Sequence, residues 1–303
     1  MGAVIETKNL ARRFGKAEAV RGLTFEVPEG SIYALLGPNG AGKTTTIKTL
    51  LNMLAPTSGE ARVLGTDSVR LGPAEFQRIG YVSENQKLPE GFTVAQLLDY
   101  CRPFYPTWDD AFAARLLEQF GLPADRKLKN LSRGMQMKAA LLSSLAYRPR
   151  LLVLDEPFSG LDPLVRSEFI RGVLELSEQE KWTVLLSSHD IDEVERLADR
   201  VGILNRGELY LSEPTESLQA RFRSVEFAVP GEGGVLPAGL PEAWLNPERA
   251  GAAVRFTESR FVDEGTLAAR VASLFPGASA PAAASMTLRE IFLALAQAFR
   301  LQG

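Results

Sequence analysis

The sequence predicts an α/β fold over its first ~215 residues and a small α+β appendage behind it. Three observations lead there. Short apolar runs alternate with helical patterns through the first part, two of those runs end in polar residues, and the composition changes past about Gln219. The first run, Ser31 to Leu36, reads as a buried strand. Directly behind it, Gly37-Pro38-Asn39-Gly40-Ala41-Gly42-Lys43-Thr44 fits the pattern G-x-x-x-x-G-K-[ST]. Ile47, Leu50, Leu51 and Leu54 follow at i, i+3, i+4 and i+7, one face of a helix. Strand, Gly-rich loop and helix in that order make a phosphate-binding loop. Its glycines let backbone N–H groups close around a phosphate, and the helix N-terminus adds partial positive charge. Lys43 reaches the β/γ oxygens and the Thr44 hydroxyl ligates Mg²⁺, so a nucleoside triphosphate site is expected.

Two further apolar runs read as buried parallel strands. Leu151 to Leu154 ends in Asp155-Glu156-Pro157, and Thr183 to Leu186 ends in Ser187-Ser188-His189. Open α/β sheets bind ligands at such C-terminal strand ends. Asp155 is placed to hold Mg²⁺, directly or through water, and Glu156 to act as general base on an attacking water. Asp162-Pro163 supplies an N-cap and a Pro at N1 for a helix carrying Val165, Phe169, Val173 and Leu176. Val201 to Leu204 and Glu208 to Leu211, joined through Asn205-Arg206-Gly207, read as a closing hairpin. Beyond Gln219, Val225, Phe227 and Val229 alternate as in a strand, and Pro230 to Gly234 reads as a turn. Ala278 to Ser285 reads as a linker. Thr287 and Glu290 form a capping box ahead of a stripe of Leu288, Ile291, Phe292 and Leu295. The expected domains are 1–218, with a helical insert at about 90–148, and 219–303.

Composition narrows the partners. A net charge of −3 gives no bulk attraction to a polyanion. The single cysteine, Cys101, excludes an internal disulfide and fits a reducing compartment; with Val94, Leu97 and Leu98 it reads as core. No run of 18 apolar residues is present and the first ten residues lack a signal-peptide core, so neither membrane crossing nor that export route is expected.

From about Ile5 to Leu211 the chain resembles the ATP-binding subunit of an ABC transporter, on five motifs in the family's order and spacing. The resemblance implies a P-loop NTPase core of the ABC ATPase type with a helical subdomain. Phe14 stands where the family places an aromatic against adenine. Ile79 to Glu84 resembles the Q-loop, Leu131-Ser132-Arg133-Gly134-Met135 the signature motif, and Leu151 to Glu156 the Walker B strand. Ser159-Gly160-Leu161-Asp162 resembles the D-loop at the dimer interface, and His189, the only histidine, the switch histidine that contacts the γ-phosphate. The phosphate loop through Thr44 and Thr45, with Ser132, Gly134 and Asp162, makes up the implied ATP-binding set. Lys43, Glu156 and His189 are the implied catalytic residues, and Thr44, Asp155 and Glu84 the implied metal ligands.

Two positions depart from the family pattern. Glu84 stands where the Q-loop carries Gln, with Gln86 two residues on as the alternative; Glu is also an oxygen ligand for Mg²⁺. In the signature motif Arg133 replaces a glycine and Met135 the closing Gln, while Ser132 and Gly134 are kept. Ser132 also fits the N-cap of a helix through Leu141, Leu142 and Leu145. Arg133 either adds charge to a phosphate pocket or faces solvent. In the family, two copies stack head to tail with each ATP between one phosphate loop and the partner's signature motif. The resemblance therefore implies ATP and Mg²⁺ as cofactors, a second ATPase subunit in a homodimer, and a separately encoded transmembrane permease. Coupling to the permease is expected near Glu84 and the insert from Thr93 to Leu145, placing the chain on the cytoplasmic face of the membrane. The competing class is a soluble ABC-type ATPase acting on nucleic acid or the ribosome, against which stand the single cassette and the lack of a long heptad run.

Overall fold

The structure, a computed structural model, describes residues 2–231 and 234–300. The chain divides at Ser212/Glu213 into two compact units, six residues ahead of the expected boundary after Leu218. The first unit opens with two long strands, β1 (Ala3–Phe14) and β2 (Ala17–Pro28), then β3 (Ile32–Leu36), helix α1 (Lys43–Leu50), β4 (Ser58–Val63) and β5 (Thr66–Asp67). The short α2 (Pro73–Phe76) and β6 (Ile79–Ser83) follow, then the helical insert of α3 (Val94–Cys101), α4 (Asp110–Gln119) and α5 (Arg133–Leu145). It closes with β7 (Leu151–Asp155), α6 (Pro163–Glu180), β8 (Thr183–Ser188), the one-turn α7 (Ile191–Val194), β9 (Arg200–Asn205) and β10 (Glu208–Pro214).

Six of these strands form one sheet in the order β10-β9-β3-β8-β7-β6. Its central pairs are parallel, and every residue of β3, β7 and β8 is buried, which explains their unbroken apolar sequences. Register then fixes the site. Leu36 pairs with Ser188 and Asp155 with Ser187, so the segments after β3, β7 and β8 leave the sheet at the same edge. A second sheet, β2-β1-β4-β5, is antiparallel. Ile47, Leu50 and Leu51, at and just beyond the end of α1, share one buried cluster with Ile5 and Leu10 of β1, Phe25 of β2 and Leu35, Val153 and Leu185 of the parallel sheet. Burial of these side chains, at about 1.5–3 kcal/mol each, anchors α1 behind the phosphate loop.

The second unit holds α8 (Thr215–Arg221), β11 (Arg223–Ala228), β12 (Trp244–Ala250), β13 (Ala253–Glu258), α9 (Glu264–Leu274), β14 (Ala282–Ser285) and α10 (Leu288–Arg300). Its antiparallel sheet runs β12-β13-β11-β14 over a core of Val225, Phe227, Trp244, Phe256, Leu267 and Phe275. Trp244 stacks on Phe256 at 4.0 Å and donates its Nε1–H to the buried Glu258 at 2.9 Å. The capping box forms as read: Thr287 N–H donates to Glu290 at 2.8 Å and Glu290 N–H to Thr287 Oγ1 at 3.2 Å. Leu288, Ile291 and Leu295 are buried and Phe292 is half-buried.

Three expectations are corrected. Ala282–Ser285 is a strand, paired from Ser285↔Arg223 to Ala282↔Glu226, although the sequence reads as linker. Its place in the sheet comes from backbone hydrogen bonds at an edge, where alanine's weak β-propensity is tolerated. Helix α1 ends at Leu50, because Asn52 takes the left-handed conformation (φ 56°), so Leu54 lies past it with its N–H on Lys48 O at 3.1 Å. Cys101, at the end of α3, is half-buried and its thiol is pushed up by burial, so it is boundary and not core. Of the expected turn at Pro230–Gly234, Glu232 and Gly233 lie outside the described residues.

Candidate functional site

The phosphate loop is wedged between neighbouring backbones, which is why it needs glycine at two places. A Cβ on Gly37 would lie 2.1 Å from Leu204 O, and one on Gly42, itself at φ 107°, would lie 2.4 Å from Ala19 O. Gly42 occupies the N-cap of α1 with no side-chain cap and no acidic residue in the first turn. The first N–H groups of α1 therefore present uncompensated partial positive charge. Asn39 to Thr45, with Ala19, Glu84 and Glu156, line a shallow pocket of about 240 Å³. A larger cavity of about 650 Å³ lies between α4, α5 and α6, but its charged lining includes the paired Lys138 and Glu168 and none of the phosphate-loop groups. The chemistry sits at the smaller pocket.

Lys43 is 6% exposed and its Nζ donates to Gly37 O at 2.6 Å and Pro38 O at 3.2 Å. Glu156 Oε1 lies 2.9 Å from the same Nζ but outside hydrogen-bond alignment, so that contact is one of charge. Glu156 itself is 12% exposed and takes a left-handed backbone (φ 53°), a conformation that costs a non-glycine residue on the order of 1 kcal/mol or more. Its N–H donates to Ser187 O at 3.2 Å and to Ser187 Oγ at 3.1 Å, which holds that turn. On its other oxygen, Oε2 lies 2.7 Å from His189 Nδ1, and the imidazole is 44% exposed. Lys43 at the start of α1, Glu156 just after β7 and His189 just after β8 thus form one continuous line.

Asp155 is buried, and burial pushes its carboxyl above the usual carboxylate range against the opposing pull of its hydroxyl donors. Those donors are Ser187 Oγ at 2.7 Å and Thr44 Oγ1 at 2.9 Å, both on Oδ1. Among the described residues no group of three or more His, Cys, Asp or Glu side chains could hold a metal alone. One buried carboxylate beside a hydroxyl fits a cation that takes its remaining ligands from phosphate and water, as Mg²⁺ does.

The remaining expected residues fall into two places. Phe14, at the end of β1, is 45% exposed, and the Arg12 guanidinium lies over one face of its ring at 4.6 Å. Ser132 caps α5 by accepting from Met135 N–H at 3.3 Å, and Asp162 caps α6 by accepting from Leu164 and Val165 N–H at 3.2 and 3.1 Å. Gly134 is buried against α6, where a Cβ would meet Val165 Cγ1 at 2.5 Å. Ser132, Gly134 and Asp162 do not line the phosphate-loop pocket. Of the two Q-loop candidates, Glu84 lines the pocket, while Gln86 is exposed and turns back on Ser83, accepting from Ser83 N–H at 3.4 Å and donating its own backbone N–H to Ser83 O at 3.1 Å. Arg133, left open by the sequence, donates to Glu84 Oε1 at 2.8 Å, and Ser159 Oγ donates to the same oxygen at 2.7 Å. Ser187 is the residue that sequence reading named without a role. Its signal was position alone, at the end of a strand adjacent to that of Asp155.

Residues 20–159 match the family model of the ABC transporter. The chain is 39% identical over 223 residues to the probable multidrug ABC transporter ATP-binding protein YbhF of Escherichia coli, a match covering 72% of this chain and 38% of that protein. It therefore spans well under half of that relative's length. It is 32% identical to the bacitracin transport ATP-binding protein BcrA of Enterococcus faecalis, covering 76% of this chain and 75% of BcrA. A solved ATP-binding subunit of an ABC transporter superposes with a TM-score of 0.64 at 28% identity, over 72% of this chain and 92% of that one.

Proposed function

The chain belongs to the ABC transporter family as an ATP-binding protein, and on that premise we propose that it binds and hydrolyses ATP as a dimer to drive a separately encoded transmembrane permease. The observation that carries this reading is the line of Lys43, Glu156 and His189 beside the Thr44–Asp155 pair, all at one sheet edge.

In this reading the backbone from Gly37 to Thr45 and the start of α1 bind the phosphates, and Lys43 meets the β/γ oxygens. Phe14 offers the free face of its ring to the base. Thr44 and Asp155 would hold Mg²⁺, with Glu84, which lines the same pocket, as a further oxygen ligand. When bound, the ion neutralises charge on the β- and γ-phosphate oxygens. Glu156 takes the proton of the attacking water, and its left-handed backbone and Ser187 contacts fix where that carboxylate stands. His189 lies with Nδ1 2.7 Å from Glu156 Oε2, and its Nε2 donates to a γ-phosphate oxygen when both ring nitrogens carry a proton. Ser132, Gly134 and Asp162, which do not line the chain's own pocket, serve the ATP held by a second copy. A two-fold dimer then has two equivalent sites.

The permease contact is assigned to the helical insert. There Phe92, Tyr100 and Phe104 form an aromatic row with ring separations of 5.7 Å, and Tyr100 and Phe104 are exposed. No helix among the described residues is long and apolar enough to cross a membrane. The chain would sit on the cytoplasmic face of the membrane through its permease, and export is favoured by relatives named for multidrug and bacitracin transport. The test is Glu156→Gln. ATP affinity should stay within a few-fold while hydrolysis falls about 10²–10⁴-fold, the loss expected for a general base. Turnover at the unmodified rate would overturn the mechanism.

A further inference from the structure

Three segments that lie far apart in sequence meet at a single carboxylate oxygen. Glu84, after β6, lines the phosphate-loop pocket. Its Oε1 accepts from Arg133 Nη2, in the first turn of α5, at 2.8 Å and from Ser159 Oγ, in the turn after β7, at 2.7 Å. Gly160 completes the seat: at φ 69°, a Cβ there would lie 2.5 Å from Arg133 Nη1 and 2.6 Å from its Cζ. The guanidinium therefore lies against the Gly160 backbone while one of its nitrogens reaches Glu84. A lone ion pair with partners 51% and 30% exposed would contribute little. This one differs in having a second donor on the same oxygen and a backbone surface that fixes the guanidinium plane.

We propose that Arg133 is a positioning residue, which through Glu84 ties the start of α5, and with it Ser132, to the chain's own phosphate-loop pocket. The proposal rests on the dimer reading above, in which Ser132 serves the ATP of a second copy. Glu84 feels what fills its own pocket, and Arg133 is covalently next to Ser132. Occupancy of one ATP site and presentation of Ser132 to the other are thereby linked through one oxygen atom. Arg133 also orders the α5 N-terminus before the second copy arrives, which lowers the entropy lost on association.

The test uses Arg133→Gln, Glu84→Gln and their double variant. Each is made in the full chain carrying Glu156→Gln, so that hydrolysis does not deplete ATP. Two quantities are read: affinity of the dilute chain for a fluorescent ATP analogue, and the Mg·ATP concentration at the midpoint of dimerisation. Arg133→Gln should leave nucleotide affinity within about twofold and raise the dimerisation midpoint about fivefold, the lower end of inter-site coupling. Glu84→Gln should raise the midpoint by a similar factor, and the double variant should raise it no further. Multiplying effects in the double variant, or an unchanged midpoint in Arg133→Gln, would overturn the proposal while leaving the dimer reading intact. Absence of ATP binding or of ATP-dependent dimerisation in the parent chain would overturn the dimer reading itself.

Discussion

Lys43 and Glu156 form a buried pair whose strength is open to measurement without any transport assay. Lys43→Met keeps the apolar stem and removes the ammonium. Glu156 then keeps the His189 ring at 2.7 Å as a hydrogen-bond partner, in a site where it is 12% exposed. Removing one partner of a buried pair costs about 3–5 kcal/mol, and the His189 contact with the remaining solvent access reduces that to about 2–3 kcal/mol here. Glu156→Gln leaves Lys43 on the carbonyls of Gly37 and Pro38 at 2.6 and 3.2 Å, so its cost is smaller, about 1–2 kcal/mol. At about 2–4 °C per kcal/mol for a unit of this size, Lys43→Met should lower the Tm of the nucleotide-free protein by about 5–10 °C. The double variant should lose less than the two single losses together, with a coupling energy of about 1–2 kcal/mol. Thermal unfolding of all four proteins gives that number. Additivity within about 0.3 kcal/mol would show that the 2.9 Å contact carries no interaction energy and refute the reasoning.

Two other outcomes follow from single residues. Asp155 has a carboxyl raised by burial, so between the unfolded and folded pKa values the folded state holds more protons than the unfolded one, and stability falls as pH rises through that window. Asp155→Asn should flatten this part of the stability-versus-pH curve, while abolishing the enhancement of ATP affinity by Mg²⁺; an unchanged pH curve would remove burial as the cause. Phe14→Ala should weaken ATP binding about tenfold, within the 1–3 kcal/mol of a base–aromatic stack, whereas Phe14→Tyr should bind as before. Equal affinity in titrations of Phe14→Ala would take Phe14 out of the site.

The strand, loop and helix around Lys43 were legible because each is written locally: an apolar run, a glycine spacing and a 3.6-residue period. The caps at Ser132, Asp162 and Thr287 were legible for the same reason. The convergence of Thr44, Asp155 and Ser187 on one oxygen was not. It depends on β7 and β8 pairing in the register Asp155↔Ser187, which no local pattern encodes. Glu84 and Arg133 stood out separately as departures from a family pattern, yet they are 49 residues apart and only the folded chain joins them. Strand β14 was missed because Ala282–Ser285 has no β-branched or aromatic residue, and its place comes from pairing with β11. The end of α1 was misplaced because apolar spacing continues to Leu54, while the left-handed turn at Asn52 stops the helix.

In the proposed dimer one chain supplies the phosphate loop and a second copy supplies Ser132. The most direct measurement is sedimentation of Glu156→Gln with saturating Mg·ATP, alone and combined with Ser132→Asp. Aspartate keeps the N-cap of α5 but sets a carboxylate against the γ-phosphate of the other copy. That arrangement requires a dimer for Glu156→Gln and a monomer for the double variant, each chain still binding one ATP. A dimer that persists with Ser132→Asp, or a monomer in both cases, would contradict it.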